Sequence, residues 1–451
     1  MSRGSVVSKA FSTVNNIFKD IDDHKNEYMA MEFVGKDYTR NRKLSMLQVL
    51  KSLFSFGCSS LHDEYNELYV HHKIDTSLCA FVRARDKISL RGIKLILEKL
   101  NRKMSYDKTF KGYRLLAIDG SKVSIYPNKK DDEIDKRKSK GDGKPISLIH
   151  VSALFDVLNK VFVDCRVNKE SEADEIRDAM QFIKDNTDDK NIYVCDRGYE
   201  GYNLFYNIMK TDQHFVIRIK DINSSTSISH RVKKIVKDLS EEFDETVTLT
   251  LTRKSGAFTN GSPSHVVLTS KQKDYDFFKD NNQNDCVMTL RIVRFRLEDS
   301  KEEDSYECLV TNLSEEEMSV SDLKEIYRLR WNLETGFMHL KYAIGLNRFH
   351  AKKLNEITKE VWMRLISYNL DSLIIMQIAE SKRNRESKKK KYSYSICFSQ
   401  VAHIIRDAYK TKVEDDLEIK IAAMVIPVKP DRHFNRNVRP HSYKTFCYRY
   451  S

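Results

Sequence analysis

The chain lacks the features that would tie it to a membrane, an oxidising compartment or a zinc scaffold. Its eight cysteines, Cys58, Cys79, Cys165, Cys195, Cys286, Cys308, Cys397 and Cys447, include no Cys-x2-Cys pair. A zinc site or a disulfide framework needs clustered ligands, so these read as reduced, mostly buried thiols. The longest nearly unbroken apolar run, Leu373 to Ala379, is far too short to cross a bilayer, and no membrane partner is expected. Near the amino terminus, Phe11 to Phe18 is interrupted by Thr13, Asn15 and Asn16, which does not match an export signal. A cytoplasmic location is expected. Tryptophan is nearly absent, with only Trp331 and Trp362.

What the chain does have is positive charge. Lys and Arg number 78 against 65 Asp and Glu, a formal net charge of +13, which points to an anionic partner. Charged residues make up 32% of the chain, yet apolar runs are frequent, so this is a folded basic protein and not a disordered tail. At 451 residues it is long enough for two to four domains.

Residues 1–110 read as helical, with Leu44, Met46, Leu47, Leu50, Leu53 and Phe54, and then Ile93, Ile96, Leu97 and Leu100, at helical spacing. From Tyr113 the period changes. Leu115–Ile125, Ser147–Phe155 and Val161–Val167 read as three antiparallel strands, followed by a helix with Ala173, Ile176, Ala179, Met180 and Ile183 as its apolar stripe. A buried strand (Asn191–Cys195), a helix near Tyr202–Met209 and a strand (His214–Ile219) complete residues 111–220. Three strands, helix, strand, helix and strand is the order of a ribonuclease H-like fold, an α+β architecture with a mixed five-stranded sheet flanked by helices.

Residues 221–313 alternate polar and apolar, clearest in Thr246–Thr252 and Cys286–Leu297, and read as an inserted β-rich domain. In residues 314–380, Ser319 and Asp322 offer caps for a long helix, and residues 381–451 form a basic carboxyl-terminal region.

That capped helix carries Tyr327, Arg330, Glu334 and Lys341 at steps of three, four and seven, which share one helical face. An acid among phosphate-binding groups suits a metal beside a nucleic-acid backbone. The spacing alone equally suits a solvated helix with intrahelical ion pairs. Upstream, Asp119 lies in the apolar run Leu115–Ile118, where a carboxylate is costly unless paired or metal-bound, and Asp196 ends the run Ile192–Cys195. Taken singly, Asp119-Gly120 also reads as a turn, Asp196 as a strand-end cap and Glu334 as a surface partner of Arg330. Asp156 and Asp164 lie in the same strand region without the accompanying pattern.

The run Tyr-x2-Arg-x3-Glu-x6-Lys from Tyr327 to Lys341 resembles the motif of the insertion-sequence-four family of DDE transposases, and the strands bearing Asp119 and Asp196 resemble that family's first and second catalytic strands. The resemblance spans about Tyr113 to Phe349 and, more weakly, the amino-terminal part. It implies that Asp119, Asp196 and Glu334 are the catalytic acids and metal ligands. Three carboxylates without His or Cys suit Mg2+ or Mn2+, and two such ions about 4 Å apart would serve phosphodiester cleavage and strand transfer.

It further implies that Tyr327, Arg330 and Lys341 grip the DNA end, with Arg197 beside them, and that the Thr76–Lys87 segment bearing Arg83 and Arg85 corresponds to amino-terminal DNA-contacting helices. Each of those basic residues equally fits a capped, solvated surface helix. The expected partners are double-stranded DNA, as terminal inverted repeats and target, and a second copy of the chain in a synaptic complex; the implied setting is a bacterial cytoplasm, at the nucleoid when bound. Relatives flip a base against a tryptophan of the insertion. Here neither tryptophan lies there, so Phe258, Phe277 or Tyr306 would have to serve. A nuclease that cuts without joining, or an inactive DNA-binding regulator, are the other readings.

Overall fold

The computed structural model describes residues 5–428, apart from 73, 104–106, 129–130, 132–136, 139–144, 188–189, 254–261, 269–274, 282, 298–304 and 384–393. Five helices come first: α1 (Val6–Asp23), α2 (Met46–Ser55), α3 (Leu61–His72), α4 (Leu78–Arg85) and α5 (Leu90–Lys103). Their starts are set by side-chain oxygens that satisfy otherwise orphaned backbone N–H groups. Ser45 and Gln48 form a reciprocal capping box on α2, and Ser77 caps α4.

Then come β1 (Arg114–Ile125), β2 (Arg137–Lys138), β3 (Pro145–Asp156), β4 (Val161–Lys169), α6 (Glu175–Asp185), β5 (Asn191–Cys195), α7 (Tyr202–Lys210) and β6 (His214–Ile219). The chain continues through α8 (Ile228–Ile235), β7 (Phe243–Thr252), β8 (His265–Val267), α9 (Asp276–Asn281), β9 (Asp285–Arg296) and β10 (Tyr306–Thr311). It ends with α10 (Val320–Leu329), α11 (Trp331–Tyr342), α12 (Leu354–Arg383), β11 (Tyr394–Ile396), α13 (Phe398–Lys410), α14 (Leu417–Ala423) and β12 (Val425–Pro427).

The strands form a large mixed sheet of ten, in the order β2-β3-β1-β5-β6-β10-β9-β7-β8, with β4 pairing on β3. β1, β5 and β6 are parallel to one another, and β3 and β4 run antiparallel beside them. The sheet is larger than the five strands expected of the core alone. The residues read as an insertion, 221–313, do not form a separate sheet; β10 hydrogen-bonds to β6 in antiparallel register, Val310 opposite Ile217, and β9 and β7 extend the same surface. Alternation in sequence shows that a strand is half buried but carries no information about its neighbour.

Strand alternation divides the interior into two layers. Leu115, Ala117, Ile192 and Val194 face the layer built with α1, α2, α5, α11 and α12, whereas Leu116, Ile118, Tyr193 and Cys195 face α6 and α7. α12 is buried on several sides, through Val361, Leu365, Ile366, Leu370 and Ile374, and it packs against α1, α2, α5, α13 and β4. Its apolar surface therefore goes around the helix instead of along one stripe. Among the described residues no helix is long and apolar enough to cross a membrane.

One side chain fixes α12 against the sheet. Asn369, fully buried, accepts from Phe162 N at 2.8 Å and donates to Phe162 O at 2.7 Å and to Asn101 Oδ1 at 3.0 Å. Asn369→Leu would leave the buried Phe162 N–H without its acceptor, worth about 1–3 kcal/mol, while Phe162 O keeps Asn101 Nδ2 at 3.0 Å. Chemical denaturation should show a stability loss of roughly 1–3 kcal/mol; a loss below about 0.5 kcal/mol would refute this role.

Candidate active site

Asp119 owes its position to strand parity. It lies two residues beyond Ala117 on β1, hence on the same face as Leu115 and Ala117, toward α11. The parallel register pairs Ala117 with Val194, and continuing it by two residues sets Asp196 beside Asp119. Asp119 Oδ1 accepts from Gly120 N at 2.8 Å, and Asp196 Oδ1 accepts from Gly198 N at 2.8 Å as the cap of the turn Arg197–Tyr199. Burial, together with the nearby charges of Asp196 and Glu175, pushes the Asp119 carboxyl up to about 6, against the opposing pull of Gly120 N–H and Arg330.

The stretch expected as one long helix is two. The capping box of Ser319 and Asp322 opens α10 as the sequence implies, but the helix ends at Leu329 and α11 starts at Trp331. Around the junction the bonds tighten to three-residue steps, Arg330 N to Tyr327 O at 3.1 Å and Leu333 N to Arg330 O at 3.0 Å. The Arg330 side chain, almost completely buried, bridges two of the acids: Nη2 donates to Glu334 Oε1 at 2.9 Å and Nη1 lies 3.7 Å from Asp119 Oδ2. Lys341 Nζ reaches back to β1, donating to Ser121 Oγ at 2.6 Å and Lys122 O at 3.1 Å. Burial lowers the Lys341 pKa while Asp119 works to raise it. Tyr327 packs its ring against the Arg330 guanidinium at 5.5 Å, and its hydroxyl is buried. Arg197 is exposed and forms no ion pair with any described residue.

Several neighbours escaped the sequence reading. Glu307 on β10 pairs with Arg218 on β6 at 3.1 Å, and its carboxyl is raised by burial against the pull of Arg218 and Arg330. Glu175, in the first turn of α6, lies 3.1 Å from His150 Nε2. Both pack over Gly120, where a Cβ would collide with Glu175 Oε1 and His150 Nε2. Gly120 is thus a close-approach position within a strand, not a turn. The available signals were an acid near the start of the apolar run Tyr306–Val310 and an acid beside the α6 cap; neither has a partner near it in sequence.

Other expected residues lie elsewhere. Arg83 is exposed on α4. Arg85 is not a surface DNA contact: it is buried among Asp86, Glu356 and Glu360, at 3.2, 3.7 and 3.7 Å, and joins the amino-terminal helices to α12. Of the aromatic candidates for a flipped base, Phe277 is fully buried and Tyr306 donates to Glu241 at 2.6 Å, its ring beneath Arg294, while Phe258 lies outside the described residues. Asp156 is fully buried and paired with Arg114 at 2.7 Å.

The donor set fits a hard divalent cation, because Asp119, Asp196 and Glu334 offer carboxylate oxygens, and Asp119, raised chiefly by burial, also feels the charges of Asp196 and Glu175. Among the described residues no three His, Cys, Asp or Glu side chains enclose one point, and between Asp119 and Glu334 the positive charge is that of Arg330.

Residues 110–370 match the family described as Transposase DDE domain, and the chain belongs to that family. No curated protein matches it. Among solved structures it is similar to the piggyBac transposase of a cryo-EM synaptic complex with hairpin DNA, with a TM-score of 0.42 and 9% identity over 94% of this chain and 86% of that one.

A carboxyl raised to about 6 binds its proton more tightly in the folded chain than in the unfolded one. Its contribution to stability is therefore present below about pH 4 and lost as pH rises toward 6. In chelator, the melting temperature of wild type relative to Asp119→Asn should fall between pH 4 and pH 7. A difference that stays constant or grows over that range would contradict the burial penalty.

Proposed function

We propose that this chain is a transposase of the insertion-sequence-four type, cutting the ends of a mobile element and joining them to target DNA. The observation that carries the reading is the adjacency of the parallel strands that carry Asp119 and Asp196, with Arg330 on the neighbouring helix bridging Asp119 to Glu334. On this reading β4, β3, β1, β5 and β6 are a ribonuclease H-like core, and the strands from 243 to 311 are an insertion that extends its sheet.

Asp119, Asp196 and Glu334 would hold Mg2+ or Mn2+, two ions in the reading favoured here, which supply Lewis-acid activation of the attacking and leaving oxygens. The rest is the chain's own work. Arg330, once its guanidinium turns from Glu334, presents a planar fork to a phosphate beside the acids, and Lys341 supplies a point charge at Ser121. Arg197, at the exposed end of β5, adds a cation where the DNA enters. Asp119, Asp196 and Glu334 are half-buried beside α11 and so remain open to an incoming phosphate. The first step is attack of water on a phosphodiester, releasing a 3' hydroxyl; the second is attack of that hydroxyl on a target phosphodiester. Terminal inverted repeats are the substrate and a homodimer the working assembly, in a bacterial cytoplasm.

Replacing Asp119, Asp196 or Glu334 by Ala should abolish cleavage of end DNA while binding persists, because cations provide most of the affinity. Cleavage near the wild-type rate would remove that acid from the mechanism. Mg2+ or Mn2+ should raise the melting temperature of wild type, by about 2.7 kcal/mol of stability at a hundredfold excess over Kd, and Asp119→Asn should lose most of the gain. Cleavage that continues at full rate in EDTA would overturn the reading.

A further inference from the structure

We infer that a mononucleotide site lies at the β4 edge of the sheet, in the cleft between α5, β4 and the carboxyl-terminal end of α6, where a nucleoside phosphate sets its base on the floor and its phosphates at the rim. The cleft has a volume of about 850 Å3, within the range of small-molecule sites. Arg114 and Asn191, which open β1 and β5, are in its lining; Asp119 and Asp196 come five residues later, about 16 Å along the strand direction. The cleft is therefore separate from the acids. At its rim Arg102, Lys108 and Lys190 are exposed and form no ion pair with any described residue. Three unmatched cations around one opening attract an anionic group.

The floor is of a different kind. Asn191 is 1% exposed; its Nδ2 donates to Asn186 O at 3.0 Å, an atom that can only accept, so the amide is held one way round and Oδ1 is left without a partner. Arg166 lies with its guanidinium over the Phe182 ring at 6.0 Å and donates through Nη2 to Asp185 at 3.4 Å, while its Nε is buried and has no partner. Asp164, half-buried, accepts from Cys165 N at 2.6 Å; burial pushes its carboxyl up to about 6 against the pull of Cys165 N–H, Lys94 and Arg166. Val163 and Trp362 add apolar surface, with Lys94 Nζ 4.7 Å from the centroid of the indole. Buried polar groups without partners are costly, and an unmatched acceptor and an unmatched donor are both satisfied by a molecule whose edge carries the complementary pair, as a nucleobase does. A bare phosphate or a DNA backbone offers acceptors alone and would face the Asp164 carboxylate and Asn191 Oδ1 unfavourably. An uncharged base would leave the rim cations unanswered. A nucleoside phosphate meets both ends of the cleft.

The test is isothermal titration calorimetry of the full chain in EDTA with three probes: ATP, adenosine and tripolyphosphate. ATP should saturate a single site and bind roughly tenfold more tightly than either of the others. Lys108→Ala/Lys190→Ala should weaken ATP about tenfold and leave adenosine unchanged, with an unchanged melting curve, and Lys108→Arg/Lys190→Arg should restore ATP. Asp164→Leu should weaken ATP and adenosine but not tripolyphosphate. Lys19→Ala/Lys51→Ala, which removes the same charge from α1 and α2, should bind ATP as wild type does. Tripolyphosphate binding as tightly as ATP overturns the inference, because the floor then contributes nothing. So does ATP binding that never saturates, or that falls equally in the rim and control variants. None of these readouts involves DNA cleavage, so this site and the transposase reading stand or fall separately.

Discussion

The carboxylate of Asp119, held in the interior of a strand, is the constraint on which the rest of the site depends. A buried acid is tolerated only with nearby positive charge or a proton, and the fold supplies both routes. Arg330 approaches it to 3.7 Å while hydrogen-bonding Glu334, and burial raises the carboxyl to about 6. Arg330 can occupy that position because the helix breaks there. The tightened turn between α10 and α11 lets Tyr327, Leu323 and Ile326 pack on one segment and Leu333, Phe337 and Leu340 on the next. A guanidinium between two acids is a charge-compensated arrangement that offsets the cost of burying either partner.

What was legible in the sequence follows a physical rule. Strand parity is local, so the strands bearing Asp119 and Asp196 could be placed from apolar periodicity, whereas the helix break at Arg330 that divides Tyr327 from Glu334 and Lys341 could not. Interactions between segments far apart in the chain were not legible either. Arg85 looked like a surface cation on a basic segment because its partners, Glu356 and Glu360, belong to α12. Glu307 and Glu175 reach the site only because β10 joins β6 and α6 packs over β1. The continuation of the sheet from β6 into β10, β9 and β7 was hidden for the same reason, since alternation is identical in a separate domain and in a neighbouring strand.

Two kinds of basic residue emerge, and their surroundings separate their roles. Arg330, Arg85 and Arg291 are buried and Lys341 half-buried, and they spend their donors on protein acceptors, Arg291 for example on both Asp244 oxygens at 2.7 and 2.6 Å. Such pairs offset desolvation and fix geometry. Arg40, Arg42 and Arg83 are exposed and unmatched. Exposed charge contributes little to folding and remains open to an anionic partner.

This division gives the protein separate means for affinity and for chemistry. Sequence-independent attraction to phosphates falls steeply with salt and can be spread over exposed cations far from the reacting bond. Charge at the reacting bond must instead be pre-set within a fraction of an ångström, which requires the buried, hydrogen-bonded frame of β1, β5 and α11. A site assembled wholly from exposed cations would bind DNA without positioning it, and one assembled wholly from buried, compensated groups would position DNA it seldom captured.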